Sequence, residues 1–250
     1  VEAARDLVRH LDGNDRKRRG LMQAFMRRFN EPLLRARSLL DRKVIGTPFK
    51  VVSILEDPCP PPEGYNSPGI LSDMSVHNVD EAIWLLGMQP TTATALGANL
   101  YNCKVSPVPE DFDDVLMQMR FEGNVIAHVQ VSRNHVAGYR NETWVFGDEG
   151  VIHVGAFQED PLHVGVEVYG RKGIIEKRVF RMRDYGEQVP MFIERFGPAY
   201  VREEEHFIDR CLKDEPFSVT QEDGLNAMLA VEAGVRSLET GERNVRVGTE

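Results

Sequence analysis

The sequence predicts an α+β fold in which helices cover one face of an open, largely antiparallel β-sheet. After Gly87 the apolar residues recur with the period of two that is typical of strands, and short turn sequences such as Glu122-Gly123-Asn124 separate the segments. Closely spaced strands joined by short turns pair in an antiparallel way. Amphipathic helical segments stand before and after this run, an order that favours an α+β domain over a βαβ series.

The predicted sheet runs from about Pro48 to Arg181. Its first strand ends at Glu56, and the others span Thr92–Ala98, Val115–Phe121, Val125–Ser132, Thr143–Gly147, Val151–Val154, Val166–Tyr169 and Ile174–Phe180. Several of these strands carry apolar residues on parts of both faces. We therefore expect helices on one face and a second copy of the chain on the other, which would make the protein a homo-oligomer through its open sheet face.

The remaining chain is mainly helical by its periodicity. Helices are predicted over Val1–Leu11, Glu31–Asp41, Ile70–Leu86, Pro190–Glu215 and Gln221–Thr240. We expect Gly197-Pro198 to break the fourth of these, and Thr220 to open the fifth with a capping box. The apolar segment Leu21–Met26 suits a buried strand, although periodicity alone does not exclude a helix. A helix that leads into a buried strand is typical of the end of an alternating α/β unit.

Composition and charge exclude several classes of protein. The chain has 250 residues, of which 42% are hydrophobic and 28% are charged, with a formal net charge of −9. No apolar run approaches the length of a membrane span, and the N-terminus lacks the apolar core of a signal peptide. The acidic balance argues against nucleic acid, and the basic run Arg16–Arg19 reads as a solvated loop. Three scattered cysteines, Cys59, Cys103 and Cys211, favour a reducing compartment, so we expect a cytoplasmic protein without membrane partners.

The segment Gly69–Gly87 carries the strongest chemical pattern. One face of the predicted helix is apolar, whereas Asp73 and His77 lie four residues apart on another face, in line with Asp80 and Trp84. Spacing alone favours a solvated or structurally satisfied pair, since an equivalent aspartate–histidine pair occurs near the N-terminus. The alternative is a catalytic pair, which requires a pocket that spacing does not show.

Common catalytic motifs are absent from the printed sequence. It contains no G-x-G-x-x-G, G-x-x-x-x-G-K-[ST], C-x-x-C, H-E-x-x-H or G-x-S-x-G pattern. A metal would need further ligands beside Asp73 and His77, and no spacing supports Asp57, Asp80 or His135 in that role. We therefore expect no metal site.

Six segments, in order, resemble the Gfo/Idh/MocA oxidoreductases, nearest to the inositol 2-dehydrogenases. GILSDMSVHNVDEAIWLLG is similar to that family's G-G-x-x-x-D-x-x-x-H-x-x-D-x-x-x-W-L-x-G helix. The other five are QAFMRRF, IGTPFKV, DPCPPPEGY, SRNHVAGYRNETWVFGDEGVIHVG and SVTQEDGLNAMLAVEAGVRSLETG. Two departures leave the substrate open: Asn78 stands where the family often has aspartate, and Pro68-Gly69 replaces a glycine pair.

The resemblance implies a division of the chain into two parts. Residues 1–29 would be the last helix and strand of a nucleotide-binding Rossmann domain. Residues 30–250 would form a substrate-binding and oligomerisation domain like the C-terminal domain of dihydrodipicolinate reductase. The family's G-x-G-x-x-G loop and catalytic lysine would fall before Val1 and are not in the printed sequence. We therefore expect this chain alone to bind no dinucleotide and to be inactive.

The resemblance also implies the chemistry. The full-length protein would transfer a hydride between NAD or NADP and a hydroxyl carbon of a polyol or sugar, with inositol-like substrates preferred. His77 would be the general base, Asp73 would hold a substrate hydroxyl or orient the imidazole, and Tyr139, Asp57 and Tyr65 would line the pocket. The alternative is a non-catalytic module for self-association or ligand binding that lacks a cofactor domain.

Overall fold

The structure is a computed structural model that describes residues 1–11, 21–58, 65–99, 111–157, 160–183 and 191–248. The predicted Asp57–Tyr65 loop and the Arg16–Arg19 run lie partly or wholly outside these ranges. The described helices are α1 (Glu2–Leu11), α2 (Glu31–Asp41), α3 (Val76–Leu86), α4 (Met191–Lys213) and α5 (Gln221–Thr240). A 3₁₀ turn spans Met26–Phe29, and a π-helical turn, Leu71–Ser75, leads directly into α3. None of the helices in the described part of the chain is long and apolar enough to cross a membrane.

A single mixed sheet organises the described residues. Its strands are β1 (Pro48–Glu56), β2 (Pro90–Ala98), β3 (Asp114–Phe121), β4 (Ile126–Ser132), β5 (Arg140–Gly147), β6 (Gly150–Phe157), β7 (Asp160–Gly170), β8 (Gly173–Arg181) and β9 (Val245–Arg246). They lie in the order β8-β7-β6-β5-β1-β4-β3-β2-β9. Among these strands β1 and β4 are parallel, and every other neighbouring pair is antiparallel. The predicted α+β class and the largely antiparallel sheet are confirmed.

One face of the sheet is covered by helices. Helix α3 packs on β1, α5 packs on β2 and on α3, and α2 packs on β6 and β7. Alternate residues of each strand therefore enter the core: in β3, Val115, Met117 and Met119 are at most 2% exposed. This strict alternation is what a strand with one buried face requires.

We call the opposite side of the sheet the outer face, and it carries Leu96, Leu116, Trp144, Phe146 and His153. Leu96 and Leu116 are cross-strand partners and are 71% and 52% exposed. Trp144 stacks on His153 with 3.9 Å between ring centroids, and the Lys50 ammonium lies 3.9 Å from the Phe146 ring centroid. Aromatic and cationic side chains therefore fill much of the surface that the sequence predicts to be covered by a second copy.

Two local predictions are wrong because tertiary packing decided them. Residues 21–25 form no strand and are followed by the 3₁₀ turn, and Phe25 and Met26 are buried against helices instead. Helix α4 continues through Pro198, where a break was expected. Its neighbours Phe196 and Ala199 are 1% and 0% exposed, so burial holds the helix against a proline penalty of roughly 3 kcal/mol.

The closing helix follows its local signals. The Thr220 side chain accepts a bond from the backbone N–H of Asp223, and the Asp223 carboxylate accepts one from the Thr220 backbone N–H. Gly241 then ends the helix in the left-handed conformation, with φ of 71°. The predicted bounds of this helix and its capping box are both confirmed.

Candidate active site

The candidate site is built around the π-helical turn that precedes α3. This turn carries Asp73, and the first turn of α3 carries His77. The Asp111 carboxylate accepts a hydrogen bond from the backbone N–H of Ile70 at 3.0 Å and so caps the start of the helical segment. The sequence pattern predicts a continuous α-helix here; the wider turn is a difference, and such π-turns are frequent at functional sites.

Asp73 is held by three donors. Its carboxylate accepts hydrogen bonds from the Tyr65 hydroxyl at 2.8 Å, from the Ser67 hydroxyl at 3.2 Å and from the Arg133 guanidinium at 3.2 Å. Tyr65 and Asp73, both predicted site residues, are thus in direct contact. Because Tyr65 is 42% exposed, this contact lies at the solvent side of the site.

His77 lies deeper. Its ring meets the ring of Phe25 edge-on, with 6.3 Å between centroids, and its Nδ1 atom is buried without a hydrogen-bond partner. Burial lowers the pKa of His77 to about 4; the positive charge of Arg27 lowers it further, and Asp73 opposes this. The imidazole is therefore neutral near pH 7. A purely structural histidine would have its ring nitrogens satisfied, and Nδ1 is not.

Asp57 follows the last residue of β1. Its backbone N–H donates to the carbonyl of Ser132, and its carbonyl accepts from the backbone N–H of His135, so the main chain is fixed beside the end of β4. Burial raises the pKa of the Asp57 carboxyl to about 6, Arg133 lowers it, and the negative charge of Asp73 raises it. The negative charges of Asp57 and Asp73 therefore repel one another in a partly buried region.

Tyr139 comes from the loop that leads into β5 and packs against the core. Burial raises the pKa of its hydroxyl, the charges of Arg27 and Arg195 lower it, and that of Asp57 raises it. The five predicted residues thus fall in one electrostatically coupled neighbourhood. In the described part of the chain, however, no hydrogen bond joins His77 or Tyr139 to the other three.

Comparison with known proteins finds similar sequences and folds. Residues 33–153 match the family described as GFO/IDH/MocA C-terminal domain. The chain is therefore similar to this family over residues 33–153. It is 28% identical over 229 residues to the myo-inositol 2-dehydrogenase of Thermotoga maritima, which covers 91% of this chain and 64% of that protein. It is 30% identical over 220 residues to the inositol 2-dehydrogenase of Rhizobium meliloti, with coverage of 87% and 62%.

A solved structure shares the fold. The scyllo-inositol dehydrogenase from Lactobacillus casei, with bound cofactor NAD(H) and scyllo-inositol, superposes with a TM-score of 0.67 at 27% identity. The match covers 88% of this chain and 62% of that chain. The chain therefore spans just under two thirds of the length of the relatives that it matches.

At two helix starts in the described part of the chain, the backbone N–H groups that could bind a pyrophosphate already have partners. A pyrophosphate site needs free backbone N–H groups at a helix N-terminus, close to glycine. At the start of the π-turn the Asp111 carboxylate already accepts from the Ile70 N–H, and at α5 the Thr220–Asp223 capping box fills the same place. Negative side chains at both positions would repel a phosphate.

The buried arginines are the site residues that the sequence did not single out. Arg27 donates to Glu81 at 2.8 Å, and Arg195 donates to Asn30 at 2.9 Å. Both guanidinium groups lie beside the ring of Phe196, at 5.5 and 4.6 Å from its centroid. The sequence could have indicated them, because Arg27 and Arg195 lie in the apolar segments QAFMRRF and RFGPAY. An arginine that is buried with such a segment is rarely without a partner.

Asn78, the departure from the family pattern, belongs to the same buried network. It is fully buried, its amide donates to the Ser53 hydroxyl at 2.7 Å, and its carbonyl accepts from Arg27 at 3.4 Å. The bond to Ser53 needs an N–H donor, which an aspartate lacks. The asparagine is therefore accounted for by packing.

The side chains of the three residues considered as metal ligands have different partners in the structure. Asp80 forms a two-pronged ion pair with Arg28, at 3.0 and 2.6 Å, and His135 binds the carbonyl of Gly138. Asp57 lies with Asp73 and Arg133, as described above. Within the described ranges no three His, Cys, Asp or Glu side chains form a group that could hold a metal ion.

Proposed function

We propose that the protein containing this chain is an NAD(P)-dependent oxidoreductase that transfers a hydride between the cofactor and a hydroxyl carbon of a polyol or sugar, with inositol-like substrates preferred. This chain supplies the substrate side of the site. The observation that carries the proposal is a buried, neutral His77 with a free Nδ1, placed next to the carboxylate of Asp73. The names of the relatives from Thermotoga maritima and Rhizobium meliloti support the substrate class.

Alcohol oxidation removes a proton from oxygen and a hydride from carbon, and the residues of this chain act on the proton. In this proposal His77 accepts it: the pKa of about 4 keeps the imidazole unprotonated at pH 7, and its Nδ1 atom has no partner in the described protein. Three protein donors already bond to the Asp73 carboxylate. In this proposal a lone pair that they leave unused accepts a hydrogen bond from a substrate hydroxyl. Asp57, Tyr139 and Tyr65 complete the polar lining.

The cofactor is bound elsewhere in this proposal. Two helix starts in the described part of the chain are already capped by carboxylates. In this proposal residues 1–29 are only the end of a nucleotide-binding domain, and residues 30–250 are the substrate and oligomerisation domain. The NAD(H) bound to the Lactobacillus casei enzyme supports the choice of cofactor. We place the protein in the cytoplasm, with a polyol as its small-molecule partner.

Self-association through the outer face is part of the same proposal. Aromatic side chains are enriched at protein interfaces, and the outer face offers Trp144 and Phe146 beside the exposed Leu96 and Leu116. Covering them with a second copy would remove a large exposed apolar area from water.

The alternative is a module that only self-associates or binds a ligand, and the capping of these two helix starts favours it. The decisive experiment assays the full-length gene product with inositol isomers and with NAD or NADP, following the reduced nicotinamide. The 250-residue chain alone should show no turnover and no NADH affinity on the order of micromolar by calorimetry. A full-length protein that binds polyols but never reduces either cofactor would establish the alternative.

A further inference from the structure

Arg133 links the candidate site to three separate parts of the chain. It follows β4 directly, and its side chain is 1% exposed. One terminal nitrogen donates to the Asp111 carboxylate at 3.0 Å, while the other donates to the Ser67 hydroxyl at 2.8 Å and to the Asp73 carboxylate at 3.2 Å. Its Nε atom is buried without a hydrogen-bond partner. The hydrogen bonds of the guanidinium described here are therefore made by its two terminal nitrogens.

Arg133 interacts in different ways with the carboxylates of the two predicted site residues Asp73 and Asp57. Asp73 receives the guanidinium, the Ser67 hydroxyl and the Tyr65 hydroxyl, which together fix the plane of its carboxylate. The Asp57 side chain receives no hydrogen bond from the described residues and feels Arg133 only through its charge. Several hydrogen bonds from fixed donors restrict the orientation of a carboxylate, whereas the attraction of a more distant charge does not.

We propose, on the basis of the function proposed above, that Arg133 is a positioning residue that places a positive charge in the pocket and holds the Asp73 carboxylate in one orientation beside His77. Ser67 completes the arrangement, because it accepts from Arg133 and from the Gly69 N–H while donating to Asp73. Arg133 therefore acts through Asp73 and has no contact with substrate of its own. Its bond to Asp111 ties the same guanidinium to the group that caps the helical segment.

A purely structural role predicts a different result from a positioning role. If Arg133 only holds the fold, a folded variant should keep the wild-type pH profile. If it positions Asp73 and supplies positive charge to the pocket, its removal should move the titration of the neighbouring carboxyl and lower the rate in folded protein.

The test compares Arg133→Met and Arg133→Lys in the full-length protein, with folding checked by circular dichroism and thermal melting. For Arg133→Met we expect kcat/KM for the preferred polyol to fall roughly 10²-fold, as for a misplaced catalytic group. The acid limb of its pH profile should move up by about one unit, as for the loss of an opposite charge. Arg133→Lys keeps the charge without the fork, so its rate should fall by roughly 10-fold with the acid limb unmoved.

Arg35→Met is the matched control, because Arg35 forms a two-pronged pair with Glu176 between α2 and β8, away from Asp73. Its pH profile and kcat/KM should match those of wild type. A folded Arg133→Met with wild-type kcat/KM and pH profile overturns the proposal. If Arg133→Met does not fold, Arg133→Lys decides, and a wild-type rate there overturns it equally.

A second measurement separates this proposal from the proposed function. In the 250-residue chain, the side-chain carboxyl of Asp57 can be titrated by ¹³C NMR. Its pKa is about 6 with Arg133 present, and Arg133→Met should raise it. If the wild-type protein oxidises no polyol but this shift occurs, the function is wrong and the role of Arg133 in the pocket stands. An unchanged Asp57 titration overturns the role of Arg133 whatever the activity.

Discussion

Arg27 and Glu81 form an ion pair, 2.8 Å between Nη1 and Oε2, in which the two side chains are only 2% and 0% exposed. The pair ties the 3₁₀ turn to helix α3 one turn beyond His77. Glu81 also accepts hydrogen bonds from the hydroxyls of Ser53 at 3.2 Å and of Thr143, so β1 and β5 are fixed to the same carboxylate. This contact sets where Arg27 lies relative to His77, whose pKa it lowers.

Removing the charge of Glu81 should be strongly destabilising. Glu81→Gln keeps the size of the side chain but leaves the Arg27 guanidinium buried without a counter-charge, at a cost of roughly 3–5 kcal/mol in the free energy of unfolding. Chemical denaturation at neutral pH measures it. Glu176→Gln removes the partner of Arg35 in a more exposed pair and should cost about 0–1 kcal/mol. Equal losses in the two variants would contradict this account of the buried pair.

His77→Ala in the full-length protein should lower kcat roughly 10²–10⁴-fold, which is the usual contribution of a general base. Asp73→Asn should lower kcat less and weaken polyol binding, since its carboxylate is expected to hold a substrate hydroxyl. The control is His10→Ala, because Asp6 and His10 repeat the four-residue spacing on the exposed helix α1. A His77→Ala enzyme with wild-type kcat would remove His77 from the mechanism.

Asp57→Asn should stabilise the folded chain at neutral pH but not in acid. The pKa of Asp57 in the folded chain, about 6, lies above the value of about 3.9 for an unfolded aspartate. Between these values the folded chain binds more protons, so stability is lost as the pH rises from about 4 to about 6, and the full cost remains at pH 7 and above.

The asparagine cannot ionise, so the free energy of unfolding should rise by about 1–3 kcal/mol at pH 7.5 and not at pH 4. Asp41→Asn, at an exposed pair with Arg37, should change stability little at either pH. A gain of the same size at both pH values would show that ionisation of Asp57 is not the cause.

Leu116→Arg should dissociate the proposed oligomer. Leu116 lies opposite Leu96 on the outer face, and a charge there would have to be buried if a second copy covers the sheet. Sedimentation velocity should show the wild-type chain as an oligomer and the variant as a monomer. Leu212→Arg changes a leucine that is 83% exposed on α4 and should leave the oligomer intact. A monomeric wild-type chain would contradict the assignment of the outer face.

The sequence by itself determined the local structure where the signals are local. Helix α5 begins at a capping box and ends at a glycine, and both act within a few residues of the helix ends, so its bounds were predicted correctly. The strands were predicted because alternation is enforced residue by residue once one face is buried. The Asp73–His77 pair was found for the same reason, since four-residue spacing brings side chains to one side of a helix.

Tertiary structure alone decided what those residues contact. Leu21–Met26 has the composition of a strand but leads into a turn that packs against helices, and Pro198 stays helical because Phe196 and Ala199 are buried beside it. The partners of Asp73 include Arg133, which is 60 residues away, and the partner of Arg27 is Glu81, 54 residues away. No periodicity within a segment records such pairings. These pairings depend on which strand ends and helix faces the strand order from β8 to β9 brings together. A buried charge without a partner costs on the order of several kcal/mol, so each of these buried charges lies next to an opposite charge or a hydrogen-bond partner.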